Sequence, residues 1–289
     1  MYRIAILGTE NSHAMTFAKY INLPGADGKR PFPDMEVVGV YGDEASAGAI
    51  LKEAGVKHAA KSPEEFLGKV DAVMVTARWG SRHAPYAMPY AKAGIPLFID
   101  KPFTSDSAEA KEFIALLKQK NVMVTGGSAC KYSPTLFEMK KAFLEDSAAG
   151  TFITGTLNFN VIPDSEYDGL FFYASHLIEM AFAVFGEEVK TVAAFRKNDS
   201  ITAIFGYEKF DVTLLFTAGA WNCAGTLYGP KEIKHYPLDM ATVFNEEVRV
   251  FHDMLVTRKM SQTYESLVLP VTLIEVLARA VKTGALVTV

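Results

Sequence analysis

The sequence Tyr2-Arg3-Ile4-Ala5-Ile6-Leu7-Gly8-Thr9-Glu10-Asn11-Ser12-His13 indicates the class of fold. A short apolar run stops at Gly8, and a helical pattern begins at about His13. A strand, a tight turn and a helix in this order can bring a phosphate to the N–H groups at the start of the helix. Of the dinucleotide fingerprint G-x-G-x-x-G, this loop keeps only the first glycine. The loop alone therefore leaves dinucleotide binding open.

More short apolar runs follow in the first half of the chain, separated by segments with helical periodicity. Such runs are typical of strands buried on both faces of a parallel sheet. Strands that alternate with helices predict crossover units and a doubly wound Rossmann sheet. The runs are Val37–Tyr41, Ala72–Thr76, Pro96–Ile99 and Val122–Thr125.

After about Gly126 the pattern changes to segments in which apolar and polar residues alternate, as in Phe152–Val161 and Val212–Thr217. Alternation with period two is typical of antiparallel strands that are covered on one face. We therefore predict an α/β protein with two domains. Residues 1–126 form the Rossmann domain, and residues 127–289 form an α+β domain with a largely antiparallel open sheet.

Composition excludes several classes of protein. With 289 residues, 49% hydrophobic and 21% charged, the chain is typical of a globular protein with a sizeable core. The net charge of -4 provides no broad cationic surface for nucleic acid. No apolar run is long enough for a signal peptide or a membrane span. Two cysteines are too few for a disulfide framework, so we expect a soluble, cytoplasmic protein without nucleic-acid or membrane partners.

Asp43 and Glu44 follow the second apolar run, where a Rossmann fold presents the residue that reads the adenosine ribose. A carboxylate accepts a hydrogen bond from a 2′-hydroxyl but repels a 2′-phosphate, and no cation lies nearby in sequence before Lys52. If a dinucleotide binds, NAD is favoured over NADP. Asp43 can equally well cap the following helix, and the two roles are compatible.

Glu10 lies in the phosphate loop and opposes this interpretation. A carboxylate about 4 Å from a phosphate charge costs up to roughly 4 kcal/mol at an effective dielectric of about 20. We therefore expect Glu10 to point away from the loop, or the loop not to hold a diphosphate in the usual way.

Motifs occur in one order along nearly the whole chain, up to Ala280-Val281-Lys282-Thr283-Gly284 in the last helix. The main ones are Val75-Thr76 followed by His83, Ile99-Asp100-Lys101-Pro102, Lys131-Tyr132-Ser133-Pro134, and Tyr173-Ala174-Ser175-His176-Leu177-Ile178-Glu179. The second resembles the Glu-Lys-Pro motif of the glucose-fructose oxidoreductase and inositol 2-dehydrogenase family (Gfo/Idh/MocA). The last resembles that family's x-G-x-H-x-x-D helix. The sequence is thus similar to this family of NAD(P)-dependent dehydrogenases.

The resemblance implies that Lys101 is the active-site lysine near nicotinamide and substrate, and that His176 is the acid/base histidine. Removing a hydride from a secondary alcohol requires its hydroxyl proton to leave, and a histidine can take that proton while a lysine stabilises the oxyanion. The expected cofactor contacts are Gly8, Thr9, Asn11, Ser12, His13, Asp43, Thr76, His83, Lys101 and Pro102. The expected substrate contacts are Arg78, Trp79, Lys131, Tyr132, Tyr173 and Glu179.

The sequence departs from the family at the aspartate that usually precedes the histidine by four residues, which is Phe172 here. Residues four apart share a helix face, so His176 lacks its usual carboxylate neighbour, although Glu179 or Tyr173 can reach that face. Two hypotheses follow. The chain is an NAD-dependent oxidoreductase of a small polyol, sugar or related metabolite, or it is a catalytically degraded member that binds a nucleotide or metabolite as a sensor or assembly protein.

Two further expectations concern metals and assembly. The six histidines lack metal-site spacing, so we expect no metal. The family commonly assembles through the open sheet of its second domain, and alternating apolar residues indicate that part of the open face is not polar. We expect a homodimer or homotetramer through this sheet. The residues cited for the open face are Phe152, Thr154, Thr156, Phe205, Val212, Leu214 and Phe216.

Overall fold

The structure is a computed structural model that describes residues 1–289. The chain divides into two compact units, which are described separately. The first unit contains Met1–Gly127 and Phe244–Val268, and the second contains Ser128–Val243 and Leu269–Val289.

Strands and helices alternate through the first 127 residues, as the sequence predicts. The strands are β1 (Tyr2–Leu7), β2 (Met35–Tyr41), β3 (Ala72–Val75), β4 (Leu97–Asp100) and β5 (Val124–Gly127). The helices are α1 (Ser12–Asn22), α2 (Glu44–Glu53), α3 (His83–Lys92) and α4 (Ser107–Gln119), and short 3-10 helices span Pro63–Phe66 and Gly80–Arg82.

The rest of the chain contains a 3-10 helix at Ala129–Tyr132, four α-helices and seven strands. The helices are α5 (Pro134–Ala148), α6 (Phe171–Phe185), α7 (Val243–Thr257) and α8 (Tyr264–Thr283). The strands are β6 (Thr154–Phe159), β7 (Thr191–Lys197), β8 (Ser200–Gly206), β9 (Asp211–Thr217), β10 (Ala224–Tyr228), β11 (Ile233–Pro237) and β12 (Val287–Thr288). No helix is long and apolar enough to cross a membrane.

The sheet of the first unit has the order β2-β1-β3-β4-β5, and all its strand pairs are parallel. Every residue of β3, β4 and β5 is buried, which explains why β3 is a continuous apolar run and β4 is apolar up to Asp100. The strand order reverses between β1 and β3, so a ligand crevice is expected beyond their carboxyl ends. The predicted parallel Rossmann sheet is confirmed.

Helix α7 belongs to the first unit, which differs from the predicted division into residues 1–126 and 127–289. Its buried residues Val248, Phe251, Met254 and Leu255 share one core with β1, β2 and α1. The helical period reveals the apolar face of α7 but not the sheet that the face covers. A division into contiguous domains therefore misassigns this segment.

The sheet of the second unit has the order β11-β10-β6-β9-β8-β7-β12. Its strand pairs are antiparallel except β6 with β9, so the largely antiparallel sheet is confirmed. Buried and partly exposed residues alternate along β6 and β9. One face of the sheet shares a core with residues of α5, α6 and α8.

The opposite, open face of this sheet is not the face that the sequence indicated. Phe205, Val212, Leu214 and Phe216 are fully buried in the core of the second unit. Thr156 pairs with Thr213, whereas its buried neighbour Leu157 pairs with Leu214. Thr154 and Thr156 therefore lie on the open face, and the cited apolar residues of β9 lie on the covered one. The half-buried or exposed residues at open-face positions include Asn158, Thr202, Ile204, Thr213 and Leu215.

Helix α8 begins at Tyr264, six residues before Pro270. The hydroxyl of Thr263 accepts a hydrogen bond from Ser266 N at 3.1 Å, which caps the helix start. Pro270 lies in the second turn of the helix, where the sequence pattern alone favours a helix start.

Candidate functional site

The turn after β1 requires glycine. Gly8 has φ of +103°, and a Cβ at this position would lie 2.2 Å from the backbone N of Ala77. The Thr76 hydroxyl donates to the Gly8 carbonyl at 2.9 Å. The turn thus packs closely against the end of β3. The first glycine of a dinucleotide fingerprint permits a tight turn of this kind.

Helix α1 starts directly after this turn. The Asn11 side chain caps it by accepting from His13 N at 3.3 Å, and Ser12 is the first helical residue. Thr9 donates through its hydroxyl to the Asp43 carbonyl at 3.1 Å and so joins the loop to the end of β2. The start of α1 thus lies at the carboxyl end of the sheet, where an anion can bind.

Glu10 turns toward the loop after β3. Its carboxylate accepts from Arg78 N at 3.3 Å and pairs with the Arg82 guanidinium at 3.4 Å. The Arg82 guanidinium also lies 4.1 Å from the centre of the Trp79 ring. The negative charge of Glu10 is therefore offset by a cation, and the objection that the sequence raised against the phosphate loop is weakened.

A cleft of about 440 Å³ lies at the carboxyl ends of β1, β2 and β3. Arg82 lines it together with Asp43, so the sequence argument that no cation lies near Asp43 does not hold in space. The cleft is lined by Glu10, Tyr41, Gly42, Asp43, Ser46, Trp79, Arg82 and Tyr86.

Asp43 caps α2, which is one of the two roles predicted for it. Its Oδ1 accepts from Ser46 N at 2.9 Å and from the Ser46 hydroxyl at 2.7 Å. These two hydrogen bonds keep the pKa of the Asp43 carboxyl below its usual range. The cap uses Oδ1 and leaves Oδ2 able to accept from a ligand.

The side chains of Asn11 and His13 bind Asp100, the residue before Lys101. Asn11 donates through Nδ2 at 3.2 Å, and Nδ1 of His13 lies 2.7 Å from the same carboxylate oxygen. Asp100 is fully buried and accepts from Lys101 N through its other oxygen at 2.7 Å. Burial opposes its ionisation, but the charge and hydrogen bond of His13, with Lys101, hold the pKa of Asp100 below its usual range. Sequence reasoning did not single out this role of Asp100.

His83 joins two loops of the first unit. Its Nδ1 lies 2.6 Å from the Pro102 carbonyl oxygen, and its Nε2 lies 2.7 Å from the Ala77 carbonyl oxygen. Complete burial is the main influence on this imidazole and lowers its pKa below the usual range. Both ring nitrogens therefore face backbone carbonyl oxygens. These contacts give His83 a structural role in addition to the predicted cofactor contact. Lys101 is buried as well, with 2% of its surface exposed.

In the second unit, His176 lies on α6 and is 5% exposed. Its Nδ1 is 2.7 Å from the Ser128 hydroxyl and 3.4 Å from the Cys130 sulfur. The rings of Phe159 and Tyr173 lie 5.0 and 5.3 Å from the imidazole. Neither Ser128 nor Cys130 belongs to a motif, so sequence reasoning missed both of them.

Glu179 does not replace the missing carboxylate at His176. Its two oxygens accept from Ser128 N at 3.0 and 2.9 Å, and one of them pairs with Lys131 Nζ at 3.0 Å. Lys131 also lies 5.3 Å from the centre of the Tyr132 ring. These predicted substrate residues thus lie in one network, in which Glu179 neutralises Lys131.

Phe172 extends an aromatic row at the start of α6. Its ring lies 4.3 Å from that of Tyr173 and 4.8 Å from that of Tyr167. Since the Tyr173 ring also contacts His176, the row leads to the imidazole. An aromatic surface therefore occupies the place where the family's aspartate is expected.

The first unit matches a known family. Residues 2–128 match the GFO_IDH_MocA model, an oxidoreductase family with an NAD-binding Rossmann fold. Among curated proteins, UDP-N-acetylglucosamine 3-dehydrogenase of Acidithiobacillus ferrooxidans is 26% identical over 135 residues, 45% of this chain and 43% of the relative. An uncharacterized oxidoreductase of Escherichia coli, YhhX, is 27% identical over 138 residues, 45% of this chain and 40% of that protein. The chain is thus similar to less than half the length of each.

Solved structures show the same fold along the whole chain. Scyllo-inositol dehydrogenase from Lactobacillus casei, with bound NAD(H) and scyllo-inositol, has a TM-score of 0.81 at 14% identity and covers 100% of this chain and 99% of that one. Myo-inositol 2-dehydrogenase from Lactobacillus plantarum has a TM-score of 0.83 at 14% identity, with the same coverage. The motifs, the parallel sheet and the family match agree, and residues 2–128 are similar to the Gfo/Idh/MocA oxidoreductase family.

Proposed function

We propose that this protein is an NAD(P)-dependent oxidoreductase, with NAD preferred, that acts on a hydroxyl or carbonyl group of a small polyol, sugar or related metabolite. The observation that carries the proposal is the turn at Gly8. The backbone of Ala77 lies so close to Gly8 that a Cβ on this residue would clash with it, and the capped start of α1 follows directly. The named relatives are dehydrogenases of a nucleotide sugar and of inositols, which supports this substrate class.

The residues of the first unit fit a dinucleotide. The loop from Gly8 to Ser12 offers backbone N–H groups for a diphosphate, and Asp43 Oδ2 can accept from a ribose hydroxyl in the adjoining cleft. Such a cofactor supplies the hydride acceptor or donor of the reaction. The Thr76 hydroxyl donates a hydrogen bond to the Gly8 carbonyl and so stabilises the loop.

Lys101 and His176 are the residues to which we assign chemistry. The Lys101 ammonium stabilises negative charge on the substrate oxygen, and its burial strengthens that interaction because water is excluded. His176, in the second unit, is the group to which we assign the exchange of a hydrogen bond or a proton with the substrate. Arg78, Trp79, Tyr132 and Tyr173 stay predicted substrate contacts.

The second hypothesis, a degraded member that senses a nucleotide or metabolite, is favoured by one observation. The side chains of Asn11 and His13, which are predicted cofactor contacts, both bind Asp100. Titration of the protein with NADH, followed by fluorescence, separates the hypotheses at the binding step. Binding together with turnover on a panel of polyols and sugars supports the enzyme, and binding with no turnover supports the sensor.

We expect NADH to bind more tightly than NADPH, because Asp43 repels a 2′-phosphate and Glu10 neutralises Arg82. Asp43→Ala is expected to lower NADH affinity at least about 10-fold, through the lost hydrogen bond to a charged group, and to weaken NADPH binding far less. Fluorescence titration measures both affinities.

Asp106→Ala is the matched control for this variant. Asp106 caps α4 in the same unit by accepting from Glu109 N at 2.8 Å, but it does not line the cleft. The Asp106→Ala variant therefore loses a similar helix cap without losing a ribose contact. Equal loss of NADH affinity in the two variants, or tighter NADPH binding by the parent, would contradict the assignment of Asp43.

We also expect a homodimer or homotetramer that packs through the open face of the second unit. Leu215 lies on this face, where it pairs with Asn158 and Thr202. Leu215→Glu places a charge in the interface and is expected to give monomers of 31.7 kDa by light scattering. Phe137→Glu, at a 56% exposed position on α5, is the control and should leave the assembly intact. A monomeric parent at micromolar concentration would refute the interface.

The remaining expectations concern the cell and the substrate. Cys130 and Cys223 are both free thiols, which supports a reducing cytoplasm as the location. The partner is a small molecule. Because Glu179 already neutralises Lys131, this lysine is not a receptor for an anionic group, which supports a neutral substrate.

A further inference from the structure

The group nearest to Nδ1 of His176 is a hydroxyl, not a carboxylate, and the Cys130 sulfur lies farther away at 3.4 Å. Ser128 Oγ lies 2.7 Å from this nitrogen, and Ser128 has no exposed surface. A carboxylate can only accept a hydrogen bond, so it selects an imidazole that carries hydrogen on Nδ1. A hydroxyl can donate or accept, and its other contacts decide which of the two it does.

The other contact of the Ser128 hydroxyl is with a backbone donor. Ser128 is the first residue before the 3-10 helix Ala129–Tyr132, and its Oγ accepts from Cys130 N at 3.2 Å. The nearby Glu179 carboxylate binds Ser128 through its backbone N, not through the hydroxyl. The hydroxyl hydrogen therefore has Nδ1 of His176 as its acceptor, because a buried O–H without an acceptor is unfavourable.

We propose that Ser128 is a positioning residue that holds neutral His176 as the tautomer with hydrogen on Nε2. His176 then meets the substrate oxygen as a hydrogen-bond donor and not as the base that removes a hydroxyl proton. The first statement concerns this chain alone, and the second rests on the proposed function.

The substrate that suits a donor is a carbonyl compound, whose oxygen accepts a hydrogen bond and becomes more negative during reduction. A neutral imidazole can polarise a carbonyl group in this way. The hydride comes from the reduced nicotinamide cofactor of the proposed function, the proton that the substrate oxygen gains comes from a general acid other than His176, and His176 keeps its Nε2 hydrogen. The favoured substrate class is therefore the ketone or aldehyde form of the polyol or sugar.

The tautomer can be read directly by NMR of the full-length protein labelled with 15N histidine, at a pH at which the imidazole is neutral. The chain has six histidines, and the signals that disappear in the His176→Gln variant are those of His176. We expect a protonated Nε2 and an unprotonated Nδ1. A protonated Nδ1 in the parent, alone or together with Nε2, overturns the proposal.

Ser128→Ala tests whether the hydroxyl sets the tautomer. We expect the form with hydrogen on Nδ1 to appear beside the original one. Ser133→Ala is the matched control, since Ser133 is also fully buried, its hydroxyl has no hydrogen-bond partner, and it lies five residues along the chain. Ser128→Thr keeps the hydroxyl and is expected to keep the parent tautomer. Unchanged His176 signals in Ser128→Ala overturn the proposal, as does an equal change in Cys130→Ala, which would assign the role to the thiol.

Kinetics separate failure of this inference from failure of the proposed function. If the protein reduces a ketone, Ser128→Ala is expected to lower kcat about 10-fold and to change KM little. A loss of about 10-fold is typical when a histidine loses the partner that orients it. A protonated Nδ1 in an active enzyme overturns this inference alone. An expected NMR result in a protein that turns over no substrate overturns the proposed function and the donor role, and leaves only the tautomer assignment standing.

Discussion

Alanine in place of Lys101 or His176 is expected to lower turnover at least about 100-fold, which is the scale on which loss of an acid/base group or a donor to an oxyanion acts. Affinity for NADH should stay within a few-fold, because neither residue is assigned to the diphosphate or the adenosine. Initial rates with a panel of ketoses, polyols and sugars in both directions, together with NADH titration, measure the two effects.

The matched controls are Lys111→Ala and His235→Ala, which remove the same side chains from exposed positions outside the candidate site. Both should retain parent rates. Clear dehydrogenase activity that survives His176→Ala unchanged would show that the family's histidine is not the functional one here. A parent without turnover on every substrate, with unaltered NADH binding in both variants, would favour the sensor hypothesis.

Asp100→Asn is expected to destabilise the first unit by roughly 3–5 kcal/mol, since it removes the carboxylate of a buried pair. Asp100 accepts from Asn11, His13 and Lys101 N, all of which are buried. The free energy of unfolding from urea titration measures the loss. Asp71→Asn, which breaks the exposed pair with Arg3, is the control and should cost far less.

The effect of Asp100→Asn should depend on pH in a definite direction. The pKa of Asp100 is lowered in the folded protein, so its ionised form stabilises the fold fully above about pH 5, and this stabilisation is lost as the pH falls through the folded pKa. The difference in unfolding free energy between parent and variant should therefore shrink as the pH falls below about 5. A difference that grows on acidification would mean that Asp100 is not held ionised.

The elements of the first unit could be predicted because their signals are local. An apolar run of strand length followed by Gly8 indicates a strand and a turn, whatever the rest of the chain does. The contacts that form the site are not local. His13 and Asp100 are 87 residues apart, and Ser128 and His176 are 48 apart, and no periodicity links them. The family resemblance supplied Lys101 and His176, but it could not supply Ser128, because the sequence departs from the family around this histidine.

The open face shows a second limit of sequence reasoning. Alternation reveals which residues of one strand share a face, so Thr154 and Thr156 were grouped correctly. It does not relate the faces of different strands, since this depends on register. Thr156 opposes Thr213 and not Leu214, and this one-residue difference reverses the face assigned to every residue of β9.

The position of α7 in the first unit has a consequence for how the protein is synthesised. The Phe98 ring lies 5.8 Å from that of Phe251, so part of the core around β4 is completed by a helix that the ribosome makes much later. At about 5–20 residues per second, the interval between Gly127 and Val268 lasts roughly 7–28 s. During this time the nascent chain exposes an apolar surface that α7 later covers. A fragment ending at Gly127 exposes this surface permanently, so the Rossmann sheet and its helices cannot be separated from the C-terminal part of the chain by a single cut.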